Sequence, residues 1–297
     1  MNESELTKES GLTEDAEPAS RMTRRRFVKG LAAAGVAGVV GAGAYGGLYE
    51  RHDYELTETD ILIRDLPAGF DGFRIAQVSD VHHSSIVSAG EVRRVVELAN
   101  SARCDMVALT GDYTTASREY VEPCAEILAG LAAPHGVWAV LGNHDHHTGP
   151  QLTRAALKRR GINVIDNANT RIRRGGDELQ LAGVGDWSWN DNDWGRAFAG
   201  VDRRRPTVLL SHQPLVLDLP ETDGVSLILS GHTHGGQVSL PLVGAPVGHI
   251  NEFKYLRGRF TRGPTQLYVT RGTGTIGLPV RFGTRPEIAV LRLRRAG

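Results

Sequence analysis

The stretch Val225-Ser226-Leu227-Ile228-Leu229-Ser230-Gly231-His232-Thr233-His234-Gly235-Gly236-Gln237 sets an apolar run directly ahead of two imidazoles spaced two residues apart. Side chains at i and i+2 leave an extended chain on the same side, so His232 and His234 can each offer a nitrogen to one shared site. Gly231, Gly235 and Gly236 leave room for something to approach the backbone closely. Alone, a His-x-His reads equally as a polar turn with solvent-facing histidines. Four further clusters decide between the two.

Each of these clusters also closes a short apolar run. Phe73 to Ser79 ends in Asp80 and His82, Asp105 to Thr110 in Gly111-Asp112, Val137 to Leu141 in Gly142-Asn143-His144-Asp145, and Thr207 to Ser211 in His212. Continuous apolar runs of this length read as strands buried on both faces. Helical patterns separate several of them, notably Ser88 to Ser101, with Val92, Val95, Val96 and Leu98 near helical spacing, and Glu119 to Leu131. A β-α-β alternation implies a substantially parallel α/β sheet, in which ligands gather beyond the carboxyl ends of the strands. A single Gly-Asp or Asn-His pair is a turn or cap. Five such endings in succession are not explained by turn chemistry.

This ordered set, Asp-x-His, Gly-Asp, Gly-Asn-His-Asp, a lone His and Gly-His-x-His, resembles the calcineurin-like metallophosphoesterases over roughly residues 54 to 295. The resemblance implies a four-layer α/β/β/α sandwich, two β-sheets flanked by helices, carrying two metal ions. By matching positions, Asp80, His82, Asp112 and His234 would hold one ion and Asp112, Asn143, His212 and His232 the other, with Asp112 as the bridge. Mixed carboxylate, amide and imidazole donors suit Mn, Fe or Zn, and no thiolate is offered that would favour softer ions. One carboxylate can span two cations about 3.5–4 Å apart.

The implied reaction is phosphoester hydrolysis by a metal-bound hydroxide. His144 would assist the leaving oxygen, and Asp145 would hold the His144 ring by a hydrogen bond. The tyrosine ligand that purple acid phosphatases carry three residues after the Gly-Asp aspartate is Thr115 here, and Tyr113 is out of register, so no iron-tyrosinate site is expected. His83, His146 and His147 flank the motifs as solvent-facing or supporting histidines, or as substrate contacts. Phosphodiesters and phosphomonoesters both remain open as substrates, including envelope lipids and nucleotide-linked lipid precursors. The alternatives are a nuclease of the same superfamily and a non-catalytic metal-binding scaffold.

Thirty-four basic residues balance thirty-four acidic ones in this chain of 297, so no global field recruits nucleic acid and none is expected as a partner. Cys104 and Cys124 are the only cysteines and form no disulfide framework; they are expected reduced, or oxidised if export and geometry allow. At the N-terminus, residues 1 to 20 read as a disordered leader rich in Glu, Ser and Thr. Thr23-Arg24-Arg25-Arg26-Phe27-Val28-Lys29 and the uncharged stretch from Leu31 to Tyr49 resemble a bacterial twin-arginine export signal. That resemblance implies the twin-arginine translocation machinery as a partner and an extracytoplasmic location. The signal is either cleaved after Ala42-Gly43-Ala44 or kept as a tether to membrane or cell wall; its glycines argue against a membrane span. The expected organisation is a leader and signal over 1–45, a linker over 46–53 and a catalytic domain over 54–297.

Four further segments complete the expectations. Tyr54 to Ile63 is an opening strand. Trp187-Ser188-Trp189-Asn190-Asp191-Asn192-Asp193-Trp194 either walls a substrate cleft or packs onto the domain. Leu240 to Val247 contacts lipid or caps the cleft, and Arg203-Arg204-Arg205 is a solvated turn. Gln266 to Arg271 and Glu287 to Leu293 are expected as return strands of a second sheet, with Arg271-Gly272-Thr273-Gly274-Thr275 between them resembling the exported bacterial branch of the family.

Overall fold

The computed structural model describes residues 23–246, 248 and 254–296; the leader and Val247 lie outside them. The chain divides into one unit ending at Gly41 and a second beginning at Ala42. Helix α1 (Arg24–Leu48) carries the signal-like sequence. The segment Arg24–His52 is long and apolar enough to cross a membrane by length and composition. Its glycines lower helix propensity, by about 1 kcal/mol each against Ala, but leave the segment apolar.

Positions 46–53, expected as a linker, pack against the rest of the second unit. The buried Glu50 carboxylate accepts the Thr284 amide at 2.8 Å, and the Arg51 guanidinium donates to the Ile86 carbonyl at 2.8 Å and to Glu91 at 3.0 Å.

From there the chain runs through β1 (Glu55–Ile63), β2 (Arg74–Val78), α2 (Ala89–Ser101), β3 (Met106–Leu109), α3 (Val121–Leu128), β4 (Val137–Ala139), α4 (Asn143–Thr148), α5 (Pro150–Arg159) and β5 (Asn163–Val164). It continues through β6 (Ala168–Arg174), β7 (Asp177–Gly183), α6 (Trp194–Ala197), β8 (Thr207–Leu210), β9 (Leu227–Ser230), β10 (Gly258–Arg262), β11 (Thr265–Val269) and β12 (Glu287–Arg295). Local sequence fixes several boundaries. Ser88 Oγ accepts the Glu91 amide and Glu91 Oε2 accepts the Ser88 amide, a reciprocal cap that starts α2. The α3 helix is shorter at both ends than the expected Glu119 to Leu131: residues 118–120 form a separate 3-10 turn ahead of it, and it stops at Leu128.

Two six-stranded sheets result, in the orders β1-β12-β2-β3-β4-β5 and β10-β11-β9-β8-β7-β6. Strands β2 to β5 run parallel in the first, and β7, β8, β9 and β11 run parallel in the second. One expectation is corrected here. β11 does join the second sheet, but β12 returns to the first, parallel to β1 and antiparallel to β2. Both faces of β12 are apolar, with Ile288, Ala289, Val290 and Leu291 buried, so it suits the interior of either sheet.

Three cores hold four layers together. Val92, Val95 and Val96 of α2 and Cys124 and Leu128 of α3 pack on one face of the first sheet. Ile75 and Met106 of that sheet meet Leu181, Val208, Leu227 and Leu229 of the second. Ile228, Leu209 and Leu267 point the other way, toward Ala197, Val216 and Leu217. The fold is therefore an α/β sandwich of two sheets flanked by helical segments. Cys104 and Cys124 are buried and free.

Candidate metal centre

The strands that end in polar clusters deliver them to one place. Gln77 in β2 ties the two sheets together just beneath it, its Nε2 donating to the Ser230 carbonyl at 2.9 Å and to Thr110 Oγ1 at 3.2 Å. Beyond the strand ends the backbone turns sharply: Asp80, His82, Asp112, His232 and His234 all hold left-handed φ, between 53° and 73°. Such conformations are uncommon outside glycine, although Asp and His tolerate them better than most, and they persist where the surrounding structure imposes them. Two glycines allow the crowding. A Cβ on Gly142 would collide with Asp112 Oδ1, and one on Gly231 with Ser79 and Asp80.

Two clusters of donors form. Asp80, His82 and His234 make the first, and Asp112, His212 and His232 the second. In the first, His82 Nε2 and His234 Nε2 face each other at 3.0 Å, and Asp80 Oδ1 lies 3.5 Å from His234 Nε2. In the second, Asn143 Oδ1 lies 3.1 Å from His212 Nε2 and 2.9 Å from His232 Nδ1. Asp112 joins them: its Oδ2 is 3.2 Å from His212 Nε2 and 3.7 Å from His82 Nε2, while its Oδ1 accepts the His144 amide at 2.8 Å. All seven residues named as ligands from sequence are thus brought together, with Asp112 between the two groups.

The electrostatics suit a cation. Burial pushes the His82 and His232 imidazoles down to about 3 and His234 well below its ordinary value, so these three stay neutral, the form that offers a lone pair. Burial also lowers His212, but the Asp112 carboxylate outweighs it by charge and hydrogen bond and raises His212 to about 10. His212 Nδ1 donates to the Thr110 carbonyl at 2.7 Å, so the extra proton sits on Nε2, facing Asp112 and Asn143. A proton there and a cation do the same work of neutralising the two oxygens. Burial raises Asp80, whereas the charge of His212 holds Asp112 well below the usual carboxylate range despite its burial.

Asp145 does not hold the His144 ring, contrary to expectation. Placed in the first turn of α4, its carboxylate folds back and accepts the amides of Asp112, Tyr113 and Gly142 at 2.8, 2.9 and 2.9 Å, which locks the β3 and β4 loops together. The His144 ring is held instead by the Thr115 carbonyl, 2.6 Å from Nδ1. A carbonyl only accepts, so Nδ1 carries a proton and Nε2 is left for other chemistry. Tyr113 is buried with its hydroxyl donating to the Val140 carbonyl at 2.6 Å.

The flanking histidines separate by role. His83 is buried and bonds the Val87 carbonyl through Nδ1 at 2.8 Å. His146 and His147 both pack on Trp189, at ring distances of 5.7 and 4.8 Å, and His147 lies 6.0 Å from His144. Trp189 is thus linked to His144 through the His147 ring, while Trp194 stacks on Phe198 in the outer layer.

One residue carried no signal in the sequence. Arg281, fully buried, donates to the carbonyls of Arg271 at 2.8 Å, Gly274 at 2.6 Å and Thr284 at 3.1 Å, and its Nη2 lies 3.5 Å from His234 Nδ1. It pins the segment whose Thr273 and Gly274 amides bond the carbonyls of Ser79 and Asp80.

Residues 73–236 match the family described as calcineurin-like phosphoesterase. The chain belongs to that family. It is 35% identical over 286 residues to the metallophosphoesterase YkuE of Bacillus subtilis (strain 168), covering 92% of this chain and 98% of that one. It is 30% identical over 226 residues to the phosphodiesterase YaeI of Escherichia coli (strain K12), covering 74% and 82%. Among solved structures, TT1561 of Thermus thermophilus aligns over 67% of this chain and 89% of its own, with 16% identity and a TM-score of 0.45. The protein is a metal-dependent phosphoester hydrolase with two candidate metal-binding clusters.

Proposed function

We propose that this chain is an exported, two-metal phosphoesterase that hydrolyses phosphodiesters, with phosphomonoesters as the second substrate class. The observation that carries the two-metal reading is the position of Asp112 Oδ2, within 3.7 Å of His82 Nε2 on one side and 3.2 Å of His212 Nε2 on the other. In that reading Asp80, His82, Asp112 and His234 hold one ion, and Asp112, Asn143, His212 and His232 the other. Bound there, Mn, Fe or Zn ions would supply an activated water and would draw charge from the phosphoryl oxygens.

The chain's own groups do the rest. Thr115 fixes the His144 ring with Nδ1 protonated, so His144 acts as an acid in its doubly protonated form, giving the Nε2 proton to the departing oxygen. Asp145 keeps the Asp112 loop in place through three amides and never touches substrate in this scheme. Trp189, His146 and His147 pack together, with the His147 ring 6.0 Å from that of His144. The preference for diesters is supported by the resemblance to YaeI, a phosphodiesterase.

Export is supported by Arg24-Arg25-Arg26-Phe27 at the head of an apolar helix, and residues 54–297 form the catalytic domain in this reading. Elemental analysis of metal-loaded protein tests the centre: two transition-metal ions per chain are expected, and Asp112→Asn should weaken both sites together. One stable ion per chain in the wild type would sink the dinuclear reading. A panel of bis-aryl diesters, aryl monoesters, nucleotides and phospholipids then orders the substrates.

A further inference from the structure

The loops that leave β9 and β11 carry apolar side chains at their tips. Leu240, Leu242 and Leu278 are 39%, 108% and 72% exposed. Leu242 also holds a left-handed φ of 67°, a position where glycine or asparagine would serve the turn better and where leucine gains no packing in return. The tips stand on stiff bases. Gln237 Nε2 donates to the carbonyls of Ile276 at 3.0 Å and Leu278 at 2.9 Å, its Oε1 accepts the Ile276 amide at 2.9 Å, and Leu240 and Gly244 exchange amide bonds of 2.7 and 2.9 Å. Gln237 lies three positions beyond His234, and β9 and β11 run parallel, so the tips rise from the same rim as the metal centre.

The occupant is indicated by the chain that feeds this rim. Gly46 accepts the Arg281 amide through its carbonyl at 3.1 Å, the Tyr45 ring meets Phe282 at 6.3 Å, and Gly47 lies against Pro279 and Val280. The residues that directly follow the most apolar part of α1 therefore pack on the loop bearing Leu278. The segment Arg24–His52, which contains these residues, is long and apolar enough to cross a membrane by length and composition. Chain connectivity joins a membrane-capable segment to the base of the apolar tips.

We propose that Leu240, Leu242 and Leu278 seat in the surface of a lipid bilayer, bringing the metal-centre rim to the level of the headgroups. Three leucines on two loops offer far less than the total of about 1,200 Å² that a stable protein interface buries. A bilayer needs no complementary shape, and apolar side chains reach roughly 5–10 Å into its headgroup and acyl boundary. As a corollary, a phosphoester carried on a membrane lipid reaches the site without leaving the bilayer. The corollary rests on the hydrolase reading, whereas the docking does not.

The test uses the full chain in phosphatidylglycerol and phosphatidylcholine vesicles. Cys104 and Cys124 are buried, so a single introduced thiol takes an environment-sensitive fluorophore selectively. Leu242→Cys, Leu278→Cys and, as a control on α2, Glu97→Cys are each labelled, Glu97 being 65% exposed. Emission from positions 242 and 278 should shift to the blue on vesicle binding and be lost to nitroxides placed high on the acyl chains. Position 97 should show neither change, which separates docking of the rim from anchoring by α1 alone. Equal responses at 97, 242 and 278, or no response at 242 and 278 on bound protein, overturn the proposal. Turnover of a soluble bis-aryl phosphodiester, followed in parallel, reports on the hydrolase reading separately.

Discussion

At the scale of single residues, the division of labour around Asn143-His144-Asp145 decides what substitutions should do. His144 is held by Thr115 and contributes only its backbone amide to Asp112, so His144→Asn should keep both metal ions. Turnover should fall by about 10²–10⁴-fold, the usual worth of general acid assistance. Alkyl esters should suffer more than activated aryl esters, whose leaving groups need less protonation; equal losses on both would argue against the acid role. A second expectation concerns His212 in chelator-treated protein. Its folded value of about 10 lies above the value of about 6.5 for an unfolded chain, so its stabilising contribution is complete below pH 6.5 and is lost as pH rises toward 10. The melting temperature of metal-free wild type should therefore exceed that of His212→Asn most near pH 6.5, and the gap should shrink toward pH 10. A gap that widens with pH would show that His212 is not held protonated. The motif fixed which residues gather, but Thr115 as partner of His144 was not legible. That contact joins two loops through a backbone carbonyl, which leaves no mark in residue identity.

At the scale of elements, the segment from Arg271 to Thr284 acts as a buttress for the ligand loops, and Arg281 is its fastener. Each buried carbonyl left without a donor costs about 1–3 kcal/mol. Arg281→Met, which removes the donors to Arg271, Gly274 and Thr284 together, should destabilise the chain by about 3 kcal/mol or more and loosen the ion near Asp80 and His234. Arg281→Lys should restore only part of this, since one ammonium cannot reproduce the spread of a guanidinium. Denaturant unfolding with parallel metal analysis checks it; a variant as stable as wild type would remove Arg281 from this role. Buried parallel strands were readable because their apolar runs are continuous. β6 was missed, since Arg171 and Arg173 on this edge strand pair with Glu178 and break any apolar alternation.

At the scale of the whole molecule, a signal-like N-terminal segment precedes a folded hydrolase. Replacing both Arg24 and Arg25 with Lys should leave the full-length protein inside the cell, as seen by fractionation of a producing bacterium; normal export of that variant would remove the twin-arginine assignment. The sequence by itself determined the family and the α/β character, and it named the seven polar residues that the fold gathers, because each follows from short-range pattern: an apolar run, then a turn, then a polar cluster. It also singled out Asp112, which the structure places between the two groups, through its place in the motif. Only the tertiary structure decided that β12 returns to the first sheet, that Asp145 braces backbone amides instead of the His144 ring, and that a buried arginine underlies His234. Those outcomes depend on which of several equally apolar or equally polar surfaces meet. Such pairings join positions far apart in the chain, and no local pattern encodes them.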